Sequence, residues 1–228
     1  METNMSGVVT RCGRPAGPRA IGLVCAVAAA GALLSGCGNS DKAPQKDAGP
    51  PRAVPASAPA SPSSSLNSDQ AQRKALIPKA KVGYEQALKA AVAAVPSSKP
   101  IAAELKGSPT SPYWNTAVAT ADGTVHDGRV DAVSGKLTQS RTESDDSGDK
   151  QHLAGQLSKA KVTAQQAAQT ATEKTKGAVT TIELGNAENG SDAVAWTVGV
   201  VTPADWNQTT YGIDATNRKV LWTHTNND

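Results

Sequence analysis

Lys79-Ala80-Lys81-Val82 recurs as Lys159-Ala160-Lys161-Val162, and Asp131-Ala132 followed by Lys136 recurs as Asp214-Ala215 followed by Lys219. Between these anchors Gln86-Ala87 matches Gln166-Ala167, Glu104-Leu105 matches Glu183-Leu184, and Trp114 matches Trp196. The matches share one order and an offset of about 80 residues, the signature of an internal repeat. The sequence therefore predicts two copies of one structural unit.

Each copy opens with a helical pattern. Tyr84, Ala87, Leu88, Ala91, Val92 and Val95 form one apolar stripe ending at Pro96. In the second copy Thr163 and Gln166 have capping-box spacing, ahead of a stripe of Ala164, Ala167, Ala168 and Ala171. Alanine buries little area but allows close approach to a sheet, so this helix is expected to be well formed and weakly packed. Alternating apolar residues follow: Ile101 to Leu105, Trp114 to Thr120 and Val130-Ala132, with turns at Asp122-Gly123 and Ser134-Gly135. The second copy runs through Val179 to Leu184, Val194 to Val201, Thr209 to Ala215 and Lys219 to Thr225. There Asn217-Arg218 replaces Ser-Gly. Arginine tolerates a left-handed conformation poorly, so a different turn type is expected.

The expected fold class is α+β: two tandem modules, each a helix packed on a small antiparallel β-sheet, after a signal peptide and a disordered linker. The boundaries read as a lipoprotein signal peptide over 1–36 and a Pro/Ala/Ser-rich tether over 37–75. Module 1 follows over 76–140, a solvated linker over 141–157 and module 2 over 158–228.

The N-terminal segment gives the clearest processing signal. Arg11, Arg14 and Arg19 form a basic region and Ala20 to Leu33 an apolar run too short to span a bilayer. Leu34-Ser35-Gly36-Cys37 then places small residues before a cysteine, so Cys37 is the expected lipidation site. The expected location is the extracytoplasmic face of the cell membrane, reached through this lipid anchor. After Cys37, prolines at 44, 50, 51, 55, 59 and 62 precede Ser63-Ser64-Ser65, too little apolar surface to order a core.

Cys12 and Cys25 lie in the segment to be removed, leaving no pair for a disulfide and no Cys-based metal or redox site. The chain has 23 basic and 20 acidic residues, of which three and one lie within 1–36. The mature balance is close to neutral and argues against a nucleic-acid partner.

The hairpin Val130-Asp131-Ala132-Val133-Ser134-Gly135-Lys136-Leu137 resembles the closing motif of the PepSY family, Val-Asp-Ala-x-x-Gly-x-aliphatic. Ile213-Asp214-Ala215 through Val220 is similar, with Arg218 where the motif has glycine. The resemblance covers 79–137 and 159–222 and consists of turn and core residues. It implies one helix on a small antiparallel sheet and a non-catalytic module. Such modules occur in peptidase propeptides and envelope proteins and are proposed to restrain peptidase activity.

No catalytic or cofactor motif accompanies this pattern. His126, His152 and His224 lack the i, i+4 spacing of a zinc helix, and no P-loop, nucleophile elbow or dinucleotide fingerprint occurs. Asp127 and Asp131 beside His126 read as solvent-facing strand residues rather than an acid/base pair. Glu143, Asp145, Asp146 and Asp149 lack EF-hand spacing. The candidate partner-binding residues are Trp206 and Asp205, in the loop Thr202 to Asn207, and Tyr113 at a strand start. Trp206 has no evident counterpart in the first copy. The expected function is binding of a protein or peptide in the cell envelope, an envelope peptidase by the resemblance. Alternatives are a small-molecule or cell-wall ligand sensor and a structural spacer.

Overall fold

The computed structural model describes residues 66–188 and 193–226. Cys37, the apolar run and most of the expected tether lie outside these residues. Thirteen elements follow in order, among them four α-helices: α1 Ser68–Leu76, α2 Tyr84–Ala94, α3 Ser147–Lys159 and α4 Ala164–Lys174. A 3₁₀ turn, Ile77–Lys79, joins α1 to the segment before α2. The strands are β1 Lys99–Ser108, β2 Ser111–Ala119, β3 Val125–Asp131, β4 Leu137–Thr142, β5 Ala178–Asn186, β6 Val194–Val201, β7 Gln208–Asp214 and β8 Val220–Asn226.

The class is α+β, but the strands form one sheet. Its order is β4-β3-β2-β1-β5-β6-β7-β8, antiparallel throughout. Two separate small sheets were expected, and the difference lies at β1–β5, where Ala103 pairs with Ile182. Both residues are fully buried, so this junction lies within the core. The two halves match in detail. Bulges between Pro100 and Ala102 and between Val179 and Thr181 correspond, as do those between Arg129 and Val130 and between Gly212 and Ile213.

The repeated sequence anchors are bonded to one another. The amides of Lys81 and Val82 both donate to the Ala132 carbonyl, at 2.8 and 2.9 Å, and the Ala132 amide donates to the Pro112 carbonyl at 3.0 Å. In the second half Lys161 and Val162 donate to the Ala215 carbonyl, each at 2.8 Å, and Ala215 donates to Val194 at 2.9 Å. Trp114 Nε1 donates to the Val82 carbonyl and Trp196 Nε1 to the Val162 carbonyl, both at 2.8 Å. These indoles are 2% and 3% exposed. A bonded buried N–H is what allows a tryptophan to anchor a core.

Helices α2 and α4 cover one face of the sheet. Ala87, Leu88 and Ala91 of α2 and Ala164, Ala167, Ala168 and Ala171 of α4 are buried against it. The Thr163–Gln166 capping box is present at α4.

Two helices were missed. Helix α1 takes residues assigned to the tether: Asn67 and Gln70 form a capping box, but Leu76 is the helix's one buried residue, so its apolar pattern is faint. Helix α3 lies in the expected linker, N-capped by the Asp146 carboxylate, with Leu153, Gln156 and Leu157 buried. An acidic, Ser/Gly-rich start hid the i, i+4 leucine pair.

The hairpin turns also correct an expectation. Arg218 adopts φ 68°, the left-handed conformation that Gly135 adopts at φ 74°, so the two turns are of one type. Arg218 Nε and Nη2 donate to Thr170 Oγ1 at 3.2 and 3.0 Å, while Asp214 accepts from the Thr216 amide and hydroxyl. These bonds offset a backbone cost of roughly 1–2 kcal/mol. Trp206, at φ 61°, likewise stands where Gly123 stands in the first half. Trp206 donates its amide to the Thr202 carbonyl, as Gly123 does to Thr120.

Two stability outcomes follow. Trp114→Phe leaves the buried Val82 carbonyl short of its indole donor and is expected to lower unfolding free energy by about 1–3 kcal/mol in urea titration. Arg218→Gly is expected to be more stable than Arg218→Ala by about 1 kcal/mol, because both lose the Thr170 bonds and only glycine relieves the backbone.

Candidate functional site

Over β1 to β4 the sheet face away from α2 and α4 is polar. On β1 and β2 it presents Glu104, Lys106, Tyr113 and Asn115, and across the register Arg129 of β3. Alternation along half-buried antiparallel strands produces such a face, with apolar residues turned inward. Glu104 pairs with Lys106 at 3.1 Å. Near the edge, Arg141 bridges Asp127 at 2.9 Å and Glu143 at 3.1 Å.

A shallow depression of about 420 Å³ opens on this face, lined among others by Gly107, Tyr113, Arg129, Asp131 and Gln139. The Arg129 guanidinium lies 3.6 Å from the Tyr113 ring centroid, a stacked cation–π contact. Gly107 makes room for that ring, since a Cβ there would stand 2.9 Å from Tyr113 Cδ1, and its φ of +100° suits glycine alone. Asp131 is committed to its turn: Oδ1 accepts from the Ser134 hydroxyl and amide, both at 2.7 Å, which holds its carboxyl below the usual range. The chemistry offered is recognition, with a flat guanidinium–aromatic platform beside an edge strand.

The sequence-predicted residues are divided between two places. Tyr113 lines the depression. Asp205 and Trp206 lie in the β6–β7 loop, three strands away in the sheet order. Asp205 accepts from the Thr202 hydroxyl, the Asn207 amide at 3.0 Å and Asn207 Nδ2 at 2.8 Å. The Thr202 bond and then those from Asn207 lower its pKa, and its oxygens hold the loop together. Trp206 is half-buried, and its carbonyl accepts from Arg73 Nη1 of α1 at 3.2 Å, while Gln70 donates to Asn207 Oδ1 at 2.8 Å. The loop thus serves as a seat for α1. Sequence reading missed Arg129, whose place over Tyr113 follows only from strand register.

His126, Asp127 and Asp131 do not converge. His126 Nδ1 contacts the Thr142 hydroxyl at 3.1 Å, Asp127 faces Arg141, and Asp131 holds the hairpin. Among the described residues no three His, Cys, Asp or Glu side chains gather as a metal site. No described helix is long and apolar enough to cross a membrane.

Residues 161–221 match the family model described as Peptidase propeptide and YPEB domain. Residues 161–221 are a PepSY domain. The match falls on the half containing Arg218, although the first half has the closer hairpin sequence. Within the matched segment, the latch from Lys161 and Val162 to Ala215 has its counterpart at Lys81, Val82 and Ala132. No curated protein matches the chain. Two solved structures are distantly similar. One, from Clostridium difficile 630 and provisionally named a lipoprotein, is 19% identical, covering 64% of this chain and 93% of its own at a TM-score of 0.42. The other, the YpmB protein from Bacillus subtilis, is 16% identical, covering 63% and 97% at 0.27.

Glu183, at the β1–β5 junction, shows how this face titrates. It is exposed by area, yet the sheet beneath it removes solvent and Glu104 lies nearby, so its pKa is raised above the ordinary 4.5. A raised carboxylate pKa means the folded state holds the proton more tightly than the unfolded chain, so stability falls as pH rises from 4.5 through the folded value. Glu183→Gln is therefore expected to raise the melting temperature at pH 7 and to leave it nearly unchanged at pH 4, measured by calorimetry.

Proposed function

We propose that this chain is a non-catalytic envelope protein, lipidated at Cys37 and held at the extracytoplasmic face of the membrane, whose two PepSY-like modules bind a protein or peptide partner. The observation that carries this reading is the arrangement at one edge of the sheet. Tyr113 and Arg129 form a platform within a depression reaching β4 through Gln139, and among the described residues β4 has β3 as its one sheet neighbour. An extended segment adding to β4 would gain main-chain hydrogen bonds, and its side chains would meet this platform and the Asp127–Arg141–Glu143 network. The same mode of binding would let the protein restrain an envelope peptidase by occupying its cleft.

The second reading is a small-molecule or cell-wall ligand sensor. It is favoured by the depression itself, which is concave and lined by polar groups.

A photo-crosslinking residue at Gln139 in the full-length chain, irradiated in its native envelope, separates these readings. Partner binding predicts a discrete adduct with one envelope protein that Tyr113→Ala or Arg129→Ala removes. No adduct, together with a higher melting temperature in a low-molecular-mass envelope extract, would overturn partner binding in favour of sensing.

A further inference from the structure

We infer that β8, the edge opposite β4, is a self-association strand at which a second copy of this chain adds antiparallel, joining two sheets across a two-fold axis at Thr223. This surface is separate from the one proposed for the partner.

The inference starts from the composition of the strand. Val220, Leu221, Trp222, Thr223, His224, Thr225 and Asn226 include no Lys, Arg, Asp, Glu or Pro. Four, Val220, Trp222, Thr223 and Thr225, are β-branched or aromatic residues that favour strands. Exposed edges in natural proteins are guarded by charge, proline or a bulge, because unpaired backbone groups otherwise recruit another strand. At β4 Arg141 and its carboxylate partners put charge on the edge, which opposes a second identical copy while leaving a segment of complementary charge able to add. At β8 the bulge falls on Leu221, near the start of the strand, and Thr223 to Asn226 run in regular register with β7. Among the described residues β8 is terminal, with β7 as its one sheet neighbour.

Self-complementarity identifies the occupant. In an antiparallel pair centred on Thr223, each Thr223 meets its own copy and Trp222 faces His224. No like charges oppose, and aromatic and threonine cross-strand pairs are favourable ones. Trp222 is already fixed flat along the sheet, because Gly212 beneath it has no side chain and a Cβ there would overlap the indole. A two-fold contact of this kind closes on itself and gives a dimer rather than a fibre. The chain uses antiparallel edge pairing once already, at β1–β5.

The test uses two differently tagged full-length copies expressed together in their native membrane, with a photo-crosslinking residue at Thr225. The expected result is an adduct carrying both tags. Thr223→Lys in both copies, or Thr223→Glu in both, is expected to abolish it by opposing like charges at the axis. Thr223→Lys in one copy with Thr223→Glu in the other is expected to restore it, which also shows that both variants fold. Absence of a mixed adduct from the unsubstituted pair overturns the inference, as does an adduct indifferent to these charges.

Discussion

The hydrogen bond from each buried tryptophan indole to a valine carbonyl, together with the two amides that converge on one alanine carbonyl, is the constraint on which the molecule depends. Trp114 reaches from β2 to Val82 just ahead of α2, and Lys81 and Val82 reach from there to Ala132 at the β3–β4 hairpin. One small network thus fixes the entry to the helix, the second strand and the closing turn. It is repeated through Trp196, Val162 and Ala215. Without Phe anywhere in the chain and with alanine lining α4, packing volume alone gives weak direction, and buried polar bonds specify the geometry.

The second constraint is the β1–β5 junction, which makes the strand order symmetric about its centre. With all strands antiparallel, the two covering helices begin at opposite ends of the sheet. The connecting helices cross between halves: α3 approaches the β2–β3 loop, where a Cβ on Gly123 would meet the Lys150 carbonyl, and α1 binds the β6–β7 loop through Arg73 and Gln70. The side opposite α2 and α4 is polar over β1 to β4, and the sheet ends in two edges of different character, one charged and one uncharged. That difference separates the two binding proposals.

Much of this was legible in the sequence because the repeated anchors are the residues that bond one another. Lys-Ala-Lys-Val and Asp-Ala recur together since the amides of one are held by the carbonyl of the other. The strands, the α2 stripe and the α4 capping box could be read from period and spacing. The single sheet could not, because Ala103 and Ile182 carry the same inward signal whether they meet each other or a separate core. Helix α1 was hidden by burying only Leu76, and α3 by the acidic stretch before it. At the candidate site, Tyr113 was legible as a strand residue, but its stacking with Arg129 was not, because that depends on β2–β3 register. Asp205 was read as a contact residue, and its geometry is that of a loop brace. The counterpart of Trp206 was not legible, because that counterpart, Gly123, is defined by backbone conformation rather than residue type.

Native-state hydrogen exchange on the full-length chain tests the account most directly. If the two latches belong to one sheet joined through Ala103 and Ile182, the amides of Lys81, Val82, Lys161 and Val162 exchange only through global unfolding. Their opening free energies then coincide and respond equally to denaturant. Opening of one pair at markedly lower free energy than the other, with its own denaturant dependence, would contradict the account and describe two units that unfold independently.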